Sequence, residues 1–167
     1  MTQFCLPLVG LKPERKQGLA ADNRMLTQSE SDPKKQRLKV ILGQAAGEAA
    51  IIAEPEADLD ALLERASFFV GTEIAFAGGA ENRCHMNSAI FWLNNENSCS
   101  LMTGYALSED GIWRQHSWCL LFKDPISGKD INSCVVETTE RRLLYYGFKL
   151  NTDEAARFFS SNVLLED

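Results

Sequence analysis

Three side chains have the types and the order that thiol acyl chemistry uses: Cys84, His116 and Glu137. A thiol attacks a carbonyl only as its thiolate, and a nearby imidazole or a helix N-terminus favours that form. Cys84 follows the Gly-rich stretch Gly78-Gly79-Ala80 and precedes the apolar residues Ala89, Ile90, Trp92 and Leu93, so it falls in the first turn of a helix expected over Cys84 to about Asn94. The chain has two histidines, His85 and His116. Beside Cys84 on a helix, His85 projects about 100° away and is poorly placed to pair with the thiol. His116 lies mid-strand in Ile112-Trp113-Arg114-Gln115-His116-Ser117-Trp118, where a strand packed on the helix presents it. Glu137 lies in Cys134-Val135-Val136-Glu137-Thr138-Thr139, on the strand after that one. A carboxylate in so apolar a run is costly to bury without a partner. Beside His116 it orients the ring; beside Arg141 or Arg142 it is structural only.

A thiol mechanism also needs donors for the oxyanion. The backbone N–H of Cys84 is one candidate and the Asn82 side chain another. Asn87, one turn on, lines the site or caps the helix start. Strand periodicity places Arg114, His116 and Trp118 on one face, with Trp113, Gln115 and Ser117 on the other. Arg114 then meets a substrate carbonyl or carboxylate, and Trp118 walls the site.

The elements that must position these groups are readable in outline. Residues 1–36 contain Pro7, Gly10 and Pro13 and the polar run Thr27 to Gln36, and are expected to be an extension or linker. Arg37 to Ala53 fits either a helix weakened by Gly43 and Gly47 or two short strands. Asp58 to Phe69 has a helical stripe, Leu59, Leu62, Leu63, Ala66 and Phe69. Thr72 to Phe76 is extended. Strands are expected over 98–107, 112–122 and 131–139, joined by turns at Ser108-Glu109-Asp110-Gly111 and 124–130, which makes an antiparallel meander. Tyr145 to Leu150 adds a short strand. Asn151 with Glu154 opens a final helix in capping-box fashion. The expectation is a single α+β domain over 37–167, with the cysteine-bearing helix packed on an antiparallel sheet of about four or more strands.

A cysteine at a helix start, a histidine on a strand and an acidic or amide residue on the next strand resemble the papain-like superfamily in its broad sense, with its transglutaminase-like and amidase branches. The resemblance covers roughly residues 80–140, with Glu in the third position where that superfamily usually carries Asn or Asp. It implies a papain-like core and a thiol hydrolase or acyl transferase acting on an amide bond of a protein, a peptide or a small amide. Peptide cleavage, deamidation and acyl transfer stay open. The competing class is a non-catalytic protein-binding module in which the same residues form a structural polar cluster.

Composition narrows the partners. A net charge of −6 argues against a nucleic-acid interface and against anionic membrane surfaces. No apolar run approaches the roughly 20 residues of a membrane span. The start of the chain, broken by Pro7 and without a charged leader, does not read as a signal peptide. Five widely spaced cysteines suit a reducing, cytoplasmic setting better than a disulfide framework. Cys99, Cys119 and Cys134 sit in apolar strand contexts and are expected in the core. Zinc is the rival chemistry, since Cys84, His85, His116 and Cys119 are ligand types, but His116 and Cys119 are three apart on a strand and face opposite sides. No cofactor or metal is expected.

Overall fold

The structure, a computed structural model, describes residues 32–69, 73–122 and 134–164. The expected extension up to residue 31, the turn at 124–130, the start of the third strand and Cys5 lie outside the described residues.

Among the described residues the first helix, α1 (Pro33–Ala45), begins inside the segment expected to be linker. Asp32 explains the start: its carboxylate accepts from Lys34 N at 2.8 Å, and Pro33 occupies the first helical position. Leu38 and Leu42 are fully buried, and Gly43 faces open space, so the ambiguous stretch is a helix. Gly47, at φ +88°, then turns the chain into the two-residue strand β1 (Ala49–Ala50). Next come α2 (Leu59–Arg65) and β2 (Ser67–Phe69). The helix expected through Phe69 therefore ends at Arg65. Pairing of β2 with the strand at Tyr145–Gly147 outweighs the helical spacing.

The remaining elements are β3 (Ile74–Phe76), α3 (Cys84–Asn94), β4 (Cys99–Leu107), β5 (Ile112–Leu121), β6 (Cys134–Glu137), β7 (Leu144–Lys149) and α4 (Thr152–Phe159), which runs on as a π-helical turn over Ser160–Leu164. Asn151 and Glu154 form the capping box at α4. Among the described residues the molecule is thus α+β, with four α-helices and a seven-stranded sheet in the order β2-β7-β4-β5-β6-β3 plus β1 on β5. The sheet is mixed, not antiparallel: β3 runs parallel to β6 and β1 parallel to β5. Neither strand pairs with the strand next to it in the chain, so no tight hairpin sets its direction.

The helices supply one face of the sheet. Leu38, Leu42, Leu62, Trp92 and Ala155 pack there with Leu101, Tyr105, Trp113, Cys119 and Val136. Met102, Ala106, Trp118, Leu120, Val135 and Tyr145 form the cluster on the other face, with Phe69 and Ile74.

One break in the sheet matters for everything that follows. One edge of β5 pairs with β4 over Trp113–Leu121. The other edge is shared: β1 holds Ile112–Trp113 and β6 holds Cys119–Leu121. Between them, from Arg114 to Trp118, no described strand covers β5.

Two glycines shape the opposite face at the same level. Gly104 pairs with both His116 and Gly147. A Cβ on Gly147 would stand 2.3 Å from Thr103 O and 2.6 Å from Trp118 Cη2. The bare backbone is therefore the trough in which the Trp118 ring lies. Gly147→Ala is expected to cost at least about 2 kcal/mol through overpacking against main chain, read as a lowered midpoint in thermal denaturation.

Candidate active site

The first turn of α3 fills the break in the β5 edge. Ser117 is the residue it docks on, and all its polar groups are engaged. The carbonyl accepts from Ser88 Oγ at 2.9 Å, and the backbone N–H is one of the groups that lower the Cys84 thiol. Its Oγ lies 2.7 Å from His85 Nδ1 and donates to Thr103 Oγ1 at 3.3 Å, so His85 is the donor in the first contact. Cys84 and Ser88 are one turn apart and share a helix face, which is why both reach Ser117. Cys119 Sγ adds a bond to Ser88 O at 3.4 Å.

His116 belongs to the face away from the helices. The break in the sheet lets Cys84 approach it past the end of β6. Both His116 and Glu137 are fully buried, and His116 Nε2 lies 2.8 Å from Glu137 Oε1. That leaves Nδ1 for the thiol. Nδ1 carries no hydrogen bond of good geometry, yet thiol and ring are close enough to shift each other. Such contacts often align only when substrate is bound.

Electrostatics sort the protons. Burial pushes the Cys84 thiol up, but the adjacent His116 ring, the Ser117 N–H and the Arg142 charge outweigh it, and its pKa falls below the ordinary thiol value. Burial pushes His116 down, but the neighbouring Cys84 thiol and the Glu137 bond and charge raise it to about 9. Thiol and imidazole thus each favour the charged form of the other against the desolvation that burial imposes. His85 behaves oppositely. Burial and the His116 charge hold it down at about 4, so it is neutral and serves as a clamp between helix and strand.

The other expected residues take different places. Asn82 is exposed and occupies a left-handed conformation at φ +58°, which turns the chain toward the helix. Asn87 is buried, and its amide holds Ala80 from both sides: Ala80 N donates to Oδ1 at 3.1 Å, and Nδ2 donates to Ala80 O at 2.7 Å. Gly79 packs on that same amide. Asn87 thus braces the loop before Cys84. Asn87→Ala is expected to cost about 2 kcal/mol for the two bonds and to speed proteolysis within 77–83, checked by limited digestion and mass spectrometry.

Arg114 is not free to meet a substrate, because it forms a two-pronged pair with Asp110 at 2.9 and 2.8 Å. Trp118 is fully buried, so it does not wall an open cleft. Its ring stacks on His116, 15° from parallel with centroids 6.2 Å apart, and fixes the imidazole plane from behind. Cys99 and Cys119 are buried as expected; Cys134 is half-buried at the β6 start. Among the described residues no group of three or more His, Cys, Asp or Glu side chains could hold a metal. No helix of the described residues is long and apolar enough to cross a membrane.

Three contributors escape sequence reasoning. Ser117 carries the docking contacts. Arg142, nearly buried, bonds Ser108 and Glu140 and adds positive charge near the thiol. Tyr145 packs against Trp118 at 4.9 Å and His116 at 6.3 Å. The one usable signal was Ser117 itself, a polar residue on the core face of an apolar strand. The first intrahelical bond of α3 runs from Asn87 N to Arg83 O, so the N–H groups of Cys84, His85 and Met86 lie ahead of the helical ladder, where an oxyanion needs donors. Comparison of the chain with protein-family models, curated proteins and solved structures gives no match.

Proposed function

We propose that the protein is a cysteine hydrolase or acyl transferase that opens an amide bond through Cys84, with His116 as acid and base and Glu137 orienting His116. The observation that carries this reading is the buried His116–Glu137 pair, whose remaining ring nitrogen is left to a thiol of lowered pKa at a helix start. The thiolate attacks the carbonyl carbon while the first-turn N–H groups of α3 hold the oxyanion. The imidazolium gives its Nδ1 proton to the leaving amine. Neutral His116 then takes a proton from water, or from an acceptor amine, as that nucleophile releases the acyl group from sulfur. Peptidase, amidase and deamidase outcomes share these steps. The order of helix, strand and neighbouring strand supports a papain-like core.

Alkylation tests the reading without a substrate. At pH 6, Cys84 is expected to react with iodoacetamide at least about tenfold faster than free cysteine, because its thiolate fraction is larger. Peptide mass spectrometry assigns the rate to Cys84. A rate no greater than that of free cysteine, or protection until unfolding, sinks the proposal and favours a binding module.

A further inference from the structure

We infer that the substrate of Cys84 is an extended polypeptide that adds as an extra strand to the outer edge of β3; this rests on Cys84 being the nucleophile. β3 ends the sheet on the side of the site, and Phe76 stands in register with Glu137. Val135 N donates to Glu73 O and Ala77 N to Glu137 O, so Glu73, Ala75 and Ala77 turn their main chain toward β6. By alternation, the N–H and C=O groups of Ile74, Phe76 and Gly78 point outward. Among the described residues nothing pairs with them. Phe76 is 59% exposed, and a Cβ on Gly78 would meet nothing within 4 Å. The segment Ile74–Phe76 carries none of the Lys or Pro residues that commonly close an edge against strand addition.

The occupant follows from that chemistry. A row of main-chain donors and acceptors is complemented by another main chain, and an exposed phenylalanine by an apolar side chain. The same edge leads into the loop that Asn87 braces, which delivers Cys84. A strand added to β3 lies about 10 Å from β6, a gap that about three extended residues span. A small amide would use none of these features.

The test compares two alkylating agents at Cys84: chloroacetone, and a pool of capped tripeptidyl chloromethyl ketones built from Ala, Leu, Phe and Lys. Both alkylate sulfur and release chloride, so their rate ratio isolates peptide binding. The pool is expected to react at least about tenfold faster than chloroacetone. Phe76→Pro removes one outward N–H and no bond to β6, and should bring the ratio close to one. Phe76→Ala keeps the N–H and should retain most of the preference. A pool N-methylated along its backbone should lose its advantage on the unaltered protein, so the outcome does not hinge on how the proline variant folds. An unmodified pool no faster than chloroacetone overturns strand addition, as does an N-methylated pool as fast as the unmodified one, or equal losses in the proline and alanine variants. If chloroacetone itself reacts with Cys84 no faster than with free cysteine, the nucleophile assignment fails as well.

Discussion

His116→Ala is expected to slow the alkylation of Cys84 at pH 6 by at least about tenfold, one unit of thiol pKa being a factor of ten in thiolate. In the intact protein the adjacent imidazole opposes the desolvation of the thiol. Without it burial dominates, with only the Ser117 N–H and the Arg142 charge against it, and the thiol rises. The difference should narrow as pH climbs toward the range where both thiols ionise. Turnover should behave differently from alkylation. Alkylation needs only the thiolate and has no falling limb, whereas amide opening also needs the imidazolium and should decline as pH passes about 9. Rate profiles that coincide for the variant and the wild type at pH 6 would remove His116 from thiol activation.

Glu137→Gln should be the most destabilising substitution at the site. It removes one partner of a buried charged pair, a loss of about 3–5 kcal/mol when the other charge stays behind. The pH dependence identifies the cause. The folded pKa of His116 lies near 9, above the ordinary 6.5, so the stabilisation it confers is full below about 6.5 and is lost as pH rises through about 9. The stability gap between wild type and Glu137→Gln should be widest at pH 6 and shrink by pH 9.5, measured by urea unfolding at both. A gap that stays constant would mean the carboxylate acts through shape and hydrogen bonding and not through charge.

Much of the frame is readable locally. The helix over Cys84–Asn94, the strands beginning near Cys99 and Ile112 and the Asn151–Glu154 box each announce themselves within a few residues. Period-two alternation also separates His116 from Ser117 correctly, the first toward the Trp118 cluster and the second toward α3. What stays hidden is non-local. Nothing near Ala49–Ala50 says that this dipeptide takes the start of the β5 edge and leaves the next five residues to a helix end. Arg114 is taken by Asp110 across a turn, a pairing that strand periodicity alone ignores. Phe69 illustrates the converse, with helical spacing overridden by a strand partner 76 residues on, at Tyr145.

The break in the β5 edge has a spectroscopic consequence. Most strand amides serve a carbonyl, but the Ser117 N–H acts on the Cys84 sulfur. A thiolate is a far stronger acceptor than a thiol, so the Ser117 proton resonance should move downfield as Cys84 ionises and return when the sulfur is alkylated. One backbone signal thus follows the charge state of Cys84 with no label and no substrate.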